Sequence, residues 1–142
     1  MTISRSEAER LITIVAAVIE DEAGRILLVR KQGTEVFMLP GGKIGEGESL
    51  VEALKRELEE ELGCGLAGEP GLLGEYRAPA ANEPDCKVQG TIFTVRLAGS
   101  PSACAEIAEM LWHDPQLEPR FPMAPLARFH VVPALLSRRK AA

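Results

Sequence analysis

A cluster of carboxylates behind a glycine-rich turn constrains this chain more than any other feature. Glu57 lies three residues before Glu60 and four before Glu61, and on an α-helix these offsets place all three side chains on one face. On an exposed helix such carboxylates repel by about 0.2–0.5 kcal/mol per pair. A divalent cation would offset that repulsion, because Mg²⁺ takes oxygen ligands and keeps positions free for water and phosphates. The cluster therefore predicts a helix that binds a metal ion.

The residues around the cluster support a helix with one buried side. Ser49 and Glu52 have the spacing of a capping box, which predicts the start of the helix. Gly63 is suited to the left-handed position that ends it. Apolar residues recur at helical spacing between these limits, at Leu50, Val51, Leu54, Leu58 and Leu62. The helix is therefore expected to pack this stripe into a core and to turn its carboxylates towards a cleft.

The rest of the chain alternates predicted strands with turns and ends in a second helix. Short runs rich in β-branched residues, bounded by glycine or proline, predict strands at residues 12–19, 26–30, 36–39, 72–77, 87–97 and 107–112. Pro40, Gly41 and Gly42 predict a turn after the third of these. Residues 123–139 predict a terminal helix, with Pro133 at its start or at a kink. This order predicts an α/β fold with a mixed sheet between helices.

Length and charge indicate one domain that does not bind duplex nucleic acid. The 142 residues suit a single domain over 1–142, with residues 1–10 as a flexible arm. The formal net charge is −5, and the basic run Arg138-Arg139-Lys140 is short, which is unfavourable for duplex DNA.

Residues 11–19 form the longest apolar run and fall short of the ~20 residues that span a membrane. No signal peptide is predicted, so we expect a cytoplasmic protein without a membrane partner.

The glycine-rich turn and the acidic helix together resemble the Nudix box, a pattern of spaced glycines, glutamates and one arginine. The positions in register are Gly42, Glu48, Arg56, Glu57, Leu58, Glu60, Glu61 and Gly63. Cys64 departs from the pattern, since a bulky aliphatic residue is usual there, but a small apolar residue packs acceptably. A plain acidic interaction surface is the competing interpretation, and it leaves the spacing of the glycines unexplained.

The resemblance implies a fold, a cofactor and a set of ligands. It implies the Nudix-type α/β/α sandwich and a requirement for Mg²⁺ or Mn²⁺. Glu60 and Glu61 match the usual metal ligands of the family, and Glu57 matches a residue that serves as ligand or general base. Gly41 matches a glycine whose backbone carbonyl often binds the metal. The resemblance also leaves a homodimer open, since many relatives are dimers.

Other charged residues have expected roles beside these ligands. Glu48 and Arg56 match an ion pair that ties the loop to the helix, and we expect Arg56 to point away from its neighbour Glu57. The resemblance makes Glu106 a candidate for a further metal ligand, because it lies six residues before Trp112, a spacing similar to that of an extra metal-binding glutamate in the nucleotide-sanitising branch. Its rivals are Glu83, Asp85 and Glu109. Arg30 resembles a phosphate-contacting arginine of that branch and is expected to bind substrate phosphates, and Lys43 is a second candidate for this role.

The expected function is therefore the metal-dependent hydrolysis of a diphosphate linkage. The substrate class is a nucleoside diphosphate joined to another moiety, and a nucleoside triphosphate is the alternative within the same chemistry. Pro79 lies close to the place where ADP-ribose enzymes often carry a marker proline. A Nudix-fold ligand sensor without catalysis is the alternative of another class. Such sensors usually lose carboxylates of the box, whereas this chain keeps them.

Overall fold

The computed structural model describes residues 10–141 and divides them into two sheets and two α-helices. The predicted arm lies outside these residues except for Arg10, which begins the first strand. In chain order the strands are β1 (Arg10–Ile19), β2 (Ile26–Lys31), β3 (Phe37–Met38), β4 (Gly41–Lys43), β5 (Gly71–Pro79), β6 (Cys86–Val95) and β7 (Ile107–His113). Helix α1 covers Leu50–Leu62 and helix α2 covers Val132–Ala141.

The larger sheet is mixed, as the sequence predicts. Its strand order is β4-β1-β6-β5. Strands β1 and β6 are parallel over their whole length, while β4 and β5 pair antiparallel with their neighbours. The smaller sheet has the order β3-β2-β7 and is antiparallel. The parallel β1–β6 pair lies at the centre of the larger sheet, which leaves β4 at one edge, beside the site described below.

Strand β1 has an unbroken apolar sequence because both of its faces are buried. Val15, Ala17 and Ile19 pack in one core with the apolar side of α1. Ala16 and Val18 pack in a second core with residues of the C-terminal helical segment. The alternation of strand side chains sends successive residues to opposite cores. Helices therefore cover both faces, and the fold is the predicted α/β/α sandwich.

Helix α1 begins and ends where its capping residues predict. The Ser49 hydroxyl accepts the N–H of Glu52 at 3.1 Å, and the Glu52 carboxylate accepts the N–H of Ser49 at 2.8 Å. Gly63 ends the helix with φ 69°, and its N–H donates to the Glu59 carbonyl at 3.0 Å. Leu54, Leu58 and Leu62 are fully buried, so local sequence signals determine both the limits and the orientation of this helix.

The predicted turn at the glycine pair is wrong in part, because Gly41 and Gly42 begin strand β4. Gly42 pairs with Val15 and Gly41 with Ala16 in an antiparallel register. Gly41 has φ 152°, and a Cβ atom there would lie 2.6 Å from the Ala16 Cα. The glycine is therefore required by the close approach of the two backbones.

The C-terminal segment differs from the single predicted helix. A π-helical turn covers Ala127–Val131 and continues directly into α2. Pro133 follows this turn by two residues, and its missing N–H and its ring disturb the regular hydrogen bonding of an α-helix. Proline thus marks a change of helix type here.

Across residues 10–141, the helices are all too short or too polar to cross a membrane.

Candidate active site

A cleft with a volume of about 580 Å³ lies beside β4, the first strand of the Nudix-like segment. Its wall also includes Glu57 of α1 and residues 80–83 of the loop between β5 and β6. The lining is of two kinds. Polar and glycine residues are Lys31, Gln32, Thr34, Gly41, Gly42, Lys43, Glu57, Asn82, Glu83 and Glu106. Apolar residues include Ile12, Ile14, Ala16, Met38, Leu39, Val88 and Leu126.

Arg56 ties the glycine-rich loop to α1. Its Nε and Nη2 atoms both donate to the Glu48 carboxylate at 2.7 Å, in the bidentate geometry that the resemblance implies. Nη2 also donates to the Lys43 carbonyl at 3.1 Å, and Glu48 accepts the N–H of Gly45 at 2.6 Å. The Arg56 guanidinium and then the Gly45 N–H lower the pKa of the Glu48 carboxyl to about 2. The loop is therefore held in one arrangement at neutral pH.

Glu57 contacts the cleft and also contacts Arg56. The Arg56 Nη1 atom donates to Glu57 Oε1 at 2.9 Å, so the expectation that Arg56 points away from Glu57 is wrong. The long guanidinium reaches over its own backbone and binds both carboxylates. Glu57 lies against Gly42, where a Cβ atom would be 2.6 Å from either carboxylate oxygen. Gly42 thus makes room for this carboxylate.

Glu61 is buried behind the glycine pair. Only 2% of the residue is exposed, and its carboxylate accepts the N–H of Gly41 at 3.0 Å. Burial is the main reason that the pKa of Glu61 stands at about 7, well above the usual value. The Gly41 hydrogen bond and the Lys31 charge lower this pKa, whereas the charges of Glu57 and Glu106 raise it. Glu61 is therefore a buried acid whose pKa is raised further by the charges of neighbouring carboxylates.

Glu60 does not share the environment of the other two carboxylates. It is exposed, and its Oε1 lies 3.6 Å from Arg56 Nη1. The prediction that all three glutamates face the cleft is wrong, since Glu60 and Glu61 are absent from its lining. At 100° per residue, Glu61 projects about 60° from the buried Leu58, whereas Glu60 projects about 160° from it. The same helix therefore buries one ligand candidate and exposes the other.

Arg30 and Lys31 are neighbouring cations of β2, and their side chains lie on opposite faces of the strand. Arg30 shares a face with Ile26 and Leu28 and donates to Glu109 at 3.2 Å and to the Thr34 carbonyl at 2.8 Å. Among the described residues, the cleft lining includes Lys31 but not Arg30. Sequence reasoning missed Lys31 because the predicted strand ended one residue earlier. Strand β2 continues to Lys31, and the alternation of side chains along it puts Lys31 on the same face as Leu27 and Val29, which pack with α1.

Three further candidate residues line the cleft. Lys31 Nζ lies 3.5 Å from Glu106 Oε1, which brings the predicted Glu106 to the same wall. Lys43 Nζ lies 3.7 Å from Glu83 Oε1. Of the rivals to Glu106, Glu83 lines the cleft, whereas Asp85 and Glu109 are outside its described lining. Both lysines of the cleft are therefore paired with a carboxylate.

The donor atoms of this region fit a hard divalent cation in kind. Glu57, Glu61 and Glu106 offer oxygen ligands, and the raised pKa of buried Glu61 indicates too little neighbouring positive charge to hold it ionised. Their present separation is larger than a compact site requires, since within residues 10–141 no three His, Cys, Asp or Glu side chains are grouped closely enough to hold an ion. Arg56 holds Glu57, and Gly41 holds Glu61. A bound cation would have to draw these groups together.

The chain belongs to the Nudix hydrolase family. A family model described as "NUDIX domain" matches residues 10–135. The match includes every strand, α1 and the first part of the C-terminal helical segment, so it covers nearly the whole described fold. The spaced glycines and glutamates of residues 42–63 lie within the matched range.

Two relatives and one solved structure illustrate the similarity. The uncharacterized Nudix hydrolase YfcD of Escherichia coli (strain K12) is 32% identical over 107 residues, which are 70% of this chain and 57% of that protein. The chain thus matches little more than half the length of YfcD. The CTP pyrophosphohydrolase of the same strain is 31% identical over 82% of this chain and 85% of its own. The solution structure of the E. coli ORF135 protein superposes with a TM-score of 0.75 at 26% identity, covering 95% of both chains.

Proposed function

We propose that this protein hydrolyses a diphosphate linkage in a nucleotide with the help of Mg²⁺ or Mn²⁺. The observation that carries the proposal is the double character of the cleft. Carboxylates and two lysines share one cavity with an apolar lining from β1, β6 and the segment before α2. The polar groups suit a metal-bound phosphate chain, and the apolar groups suit the body of a nucleotide.

The candidate ligands are Glu57, Glu60, Glu61, Glu106 and the backbone carbonyl of Gly41. Glu57 and Glu61 are already adjacent to the glycine pair, whereas Glu60 would have to turn from solvent. When bound, the cation would neutralise negative charge on the phosphoryl oxygens and favour attack by water. The raised pKa of Glu61 supports this set, because a cation would hold that carboxyl ionised at neutral pH.

The remaining steps belong to side chains of the chain itself. Glu57 is our proposed proton acceptor, since it is the helix carboxylate that lines the cleft. Lys31 and Lys43 bind phosphate oxygens, and we propose Lys31 in place of Arg30 because Arg30 is bound to Glu109 and Thr34. Arg56 and Glu48 act by fixing the glycine-rich loop that carries Gly42 and Lys43.

Two substrate classes are compatible with this chemistry. A nucleoside diphosphate joined to another moiety is the class expected from the sequence. The relative named CTP pyrophosphohydrolase covers most of both chains, and it favours a nucleoside triphosphate. In either case the bond broken is a phosphoric anhydride. Water supplies the oxygen, and the products are two phosphate-bearing fragments.

A substrate panel tests the proposal. Purified protein is incubated with the four common ribonucleoside triphosphates, UDP-glucose and ADP-ribose, and products are separated by ion-exchange chromatography. With Mg²⁺ or Mn²⁺ we expect turnover of at least one compound, and with excess chelator we expect none. Full activity in chelator would overturn the metal dependence. Tight binding of a nucleotide without turnover of any compound would favour the ligand sensor instead.

A further inference from the structure

Lys43 and Glu83 form an ion pair that joins two walls of the cleft. Lys43 is the last residue of β4, and Glu83 lies in the loop between β5 and β6. Their charged atoms are 3.7 Å apart. Strands β4 and β6 lie on opposite sides of β1, so the pair spans the strand that supplies Ile12 and Ile14 to the cleft lining.

The position of Lys43 makes its partner relevant to substrate binding. Lys43 pairs directly with Ile14 across the antiparallel β1–β4 ladder, so both side chains lie on the same face of the sheet. Lys43 and Glu57 both line the cleft. A phosphate bound beside Glu57 would therefore find its nearest β4 cation already engaged by Glu83.

The loop that carries Glu83 is closed at its base. The Ala80 N–H donates to the Cys86 carbonyl at 2.9 Å, and residues 79–83 line the cleft as a group. Glu83 therefore reaches Lys43 from a short hairpin connection held at both ends. A substrate that takes Lys43 must displace this carboxylate or bind beside its negative charge.

We propose that Glu83 is a specificity-determining residue, which competes with substrate phosphates for Lys43 and weakens the binding of the more highly charged substrates. The inference rests on the proposed function, because it takes Lys43 to be a phosphate contact. A nucleoside triphosphate carries more negative charge than a nucleoside diphosphate joined to a neutral sugar, so it loses more binding when Glu83 neutralises the charge of Lys43. The side chains of Lys43 and Glu83 are 68% and 49% exposed, and solvent therefore keeps the effect modest.

The variant Glu83→Gln removes the charge and keeps the size of the side chain. We measure kcat and KM for CTP and for UDP-glucose with Mg²⁺. The ratio of kcat/KM for CTP to that for UDP-glucose should rise about two- to fivefold, the range of an exposed ion pair. The change should lie in KM, with kcat unaltered. An unchanged ratio would overturn the proposal.

Glu118→Gln is the matched control. Glu118 also forms an exposed ion pair, with Arg128 at 3.0 Å, and the substitution makes the same change in net charge outside the lining of the cleft. We expect this variant to keep the wild-type ratio. If it shifts the ratio as much as Glu83→Gln does, the overall charge of the protein explains the effect and the proposal is wrong.

Two further measurements test the route through Lys43. In a Lys43→Gln background, Glu83→Gln should lose more than half of its effect, and a full effect there would overturn the proposal. Calorimetric binding of inorganic tripolyphosphate, without divalent cation, gives a readout that needs no turnover. If no nucleotide is hydrolysed, the proposed function fails on its own. Tighter tripolyphosphate binding by Glu83→Gln would still support the role of Glu83, and equal affinity would refute it.

Discussion

The two ends of helix α1 differ in how their charges are balanced. At the N-terminal end, Ser49 and Glu52 cap each other, and Glu48 is bound by Arg56 and by the Gly45 N–H. At the C-terminal end, Glu61 is buried with the Gly41 N–H as its hydrogen-bond donor, and its pKa is raised. The first end holds the loop in place, while the second keeps acidic groups together at a cost. The two ends thus differ in how their carboxylates are compensated, and Arg56 connects them because it also donates to Glu57.

The largest expected effect comes from Glu57→Gln, at the proposed proton acceptor. The substitution removes the proposed proton acceptor and one cation ligand, so kcat should fall by roughly 10²–10³, the range for loss of one electrostatic group at an active site. Unfolding free energy should change by less than about 0.5 kcal/mol, because the lost contact with Arg56 is offset by relief of repulsion from Glu61. Urea unfolding in chelator and steady-state rates with Mg²⁺ check the two parts.

Glu59→Gln is the matched control for Glu57→Gln. Glu59 is exposed on the same helix, and it lies outside the described lining of the cleft. We expect wild-type turnover from this variant. Equal losses in both variants would mean that the charge of the helix, rather than the position of Glu57, supports activity.

The next largest effect is a pH dependence of stability that Glu61 causes at the C-terminal end of α1. The pKa of Glu61 is about 7 in the folded protein against a reference value of 4.5, so the folded state holds this proton more tightly than the unfolded state does. The metal-free protein should therefore lose stability as pH rises from 4.5 through 7. Glu61→Gln stays neutral and should gain stability over wild type, by on the order of 3 kcal/mol at pH 8.

Unfolding in urea with chelator at pH 4.5 and pH 8 measures this difference. The two proteins should be nearly equal at the lower pH, since the wild-type carboxyl is then largely protonated when folded. A constant difference at both pH values would contradict the burial argument. Added Mg²⁺ should stabilise wild type more than Glu61→Gln, which links the buried acid to the cation.

The limits of helix α1 and one of its contacts could be predicted from the sequence. Helix α1 was predicted with its limits because capping residues and an apolar stripe act within a few residues of each other. The Arg56–Glu48 contact followed from the family resemblance. The different fates of Glu60 and Glu61 could also have been read from their angles to Leu58. The offsets of three and four residues show only that the carboxylates share one side of the helix. Their angles to the buried stripe decide which of them is buried.

Other features depend on contacts that the local sequence does not report. Arg30 and Lys31 are adjacent cations, and only the pairing of β2 shows which one faces the cleft. Gly41 and Gly42 have the composition of a turn, yet β1 draws them into a strand. In each case long-range packing decides between two local possibilities.

A smaller effect is expected at the N-terminal end of α1. Arg56→Ala leaves Glu48 with the Gly45 N–H alone, and the free energy of unfolding should fall by less than the change expected at Glu61, because the Arg56–Glu48 pair is screened by solvent. Arg56→Lys should recover only part of this loss, because an ammonium cannot bind both carboxylate oxygens in the same fork. Thermal unfolding in chelator measures it. Full recovery by lysine would show that charge alone holds the loop.

The smallest effect is a pH dependence of the same contact. The pKa of Glu48 is about 2 in the folded protein, below the reference value of 4.5. The contact therefore stabilises the fold fully above about pH 4.5, and its contribution is lost as pH falls towards 2. The difference in melting temperature between wild type and Glu48→Gln should be constant from pH 5 to pH 7 and should shrink between pH 4.5 and pH 3. In an Arg56→Ala background the same comparison should be nearly flat with pH, because the main cause of the lowered pKa is gone. A difference that grows on acidification would mean that Glu48 is not the group that fixes the loop.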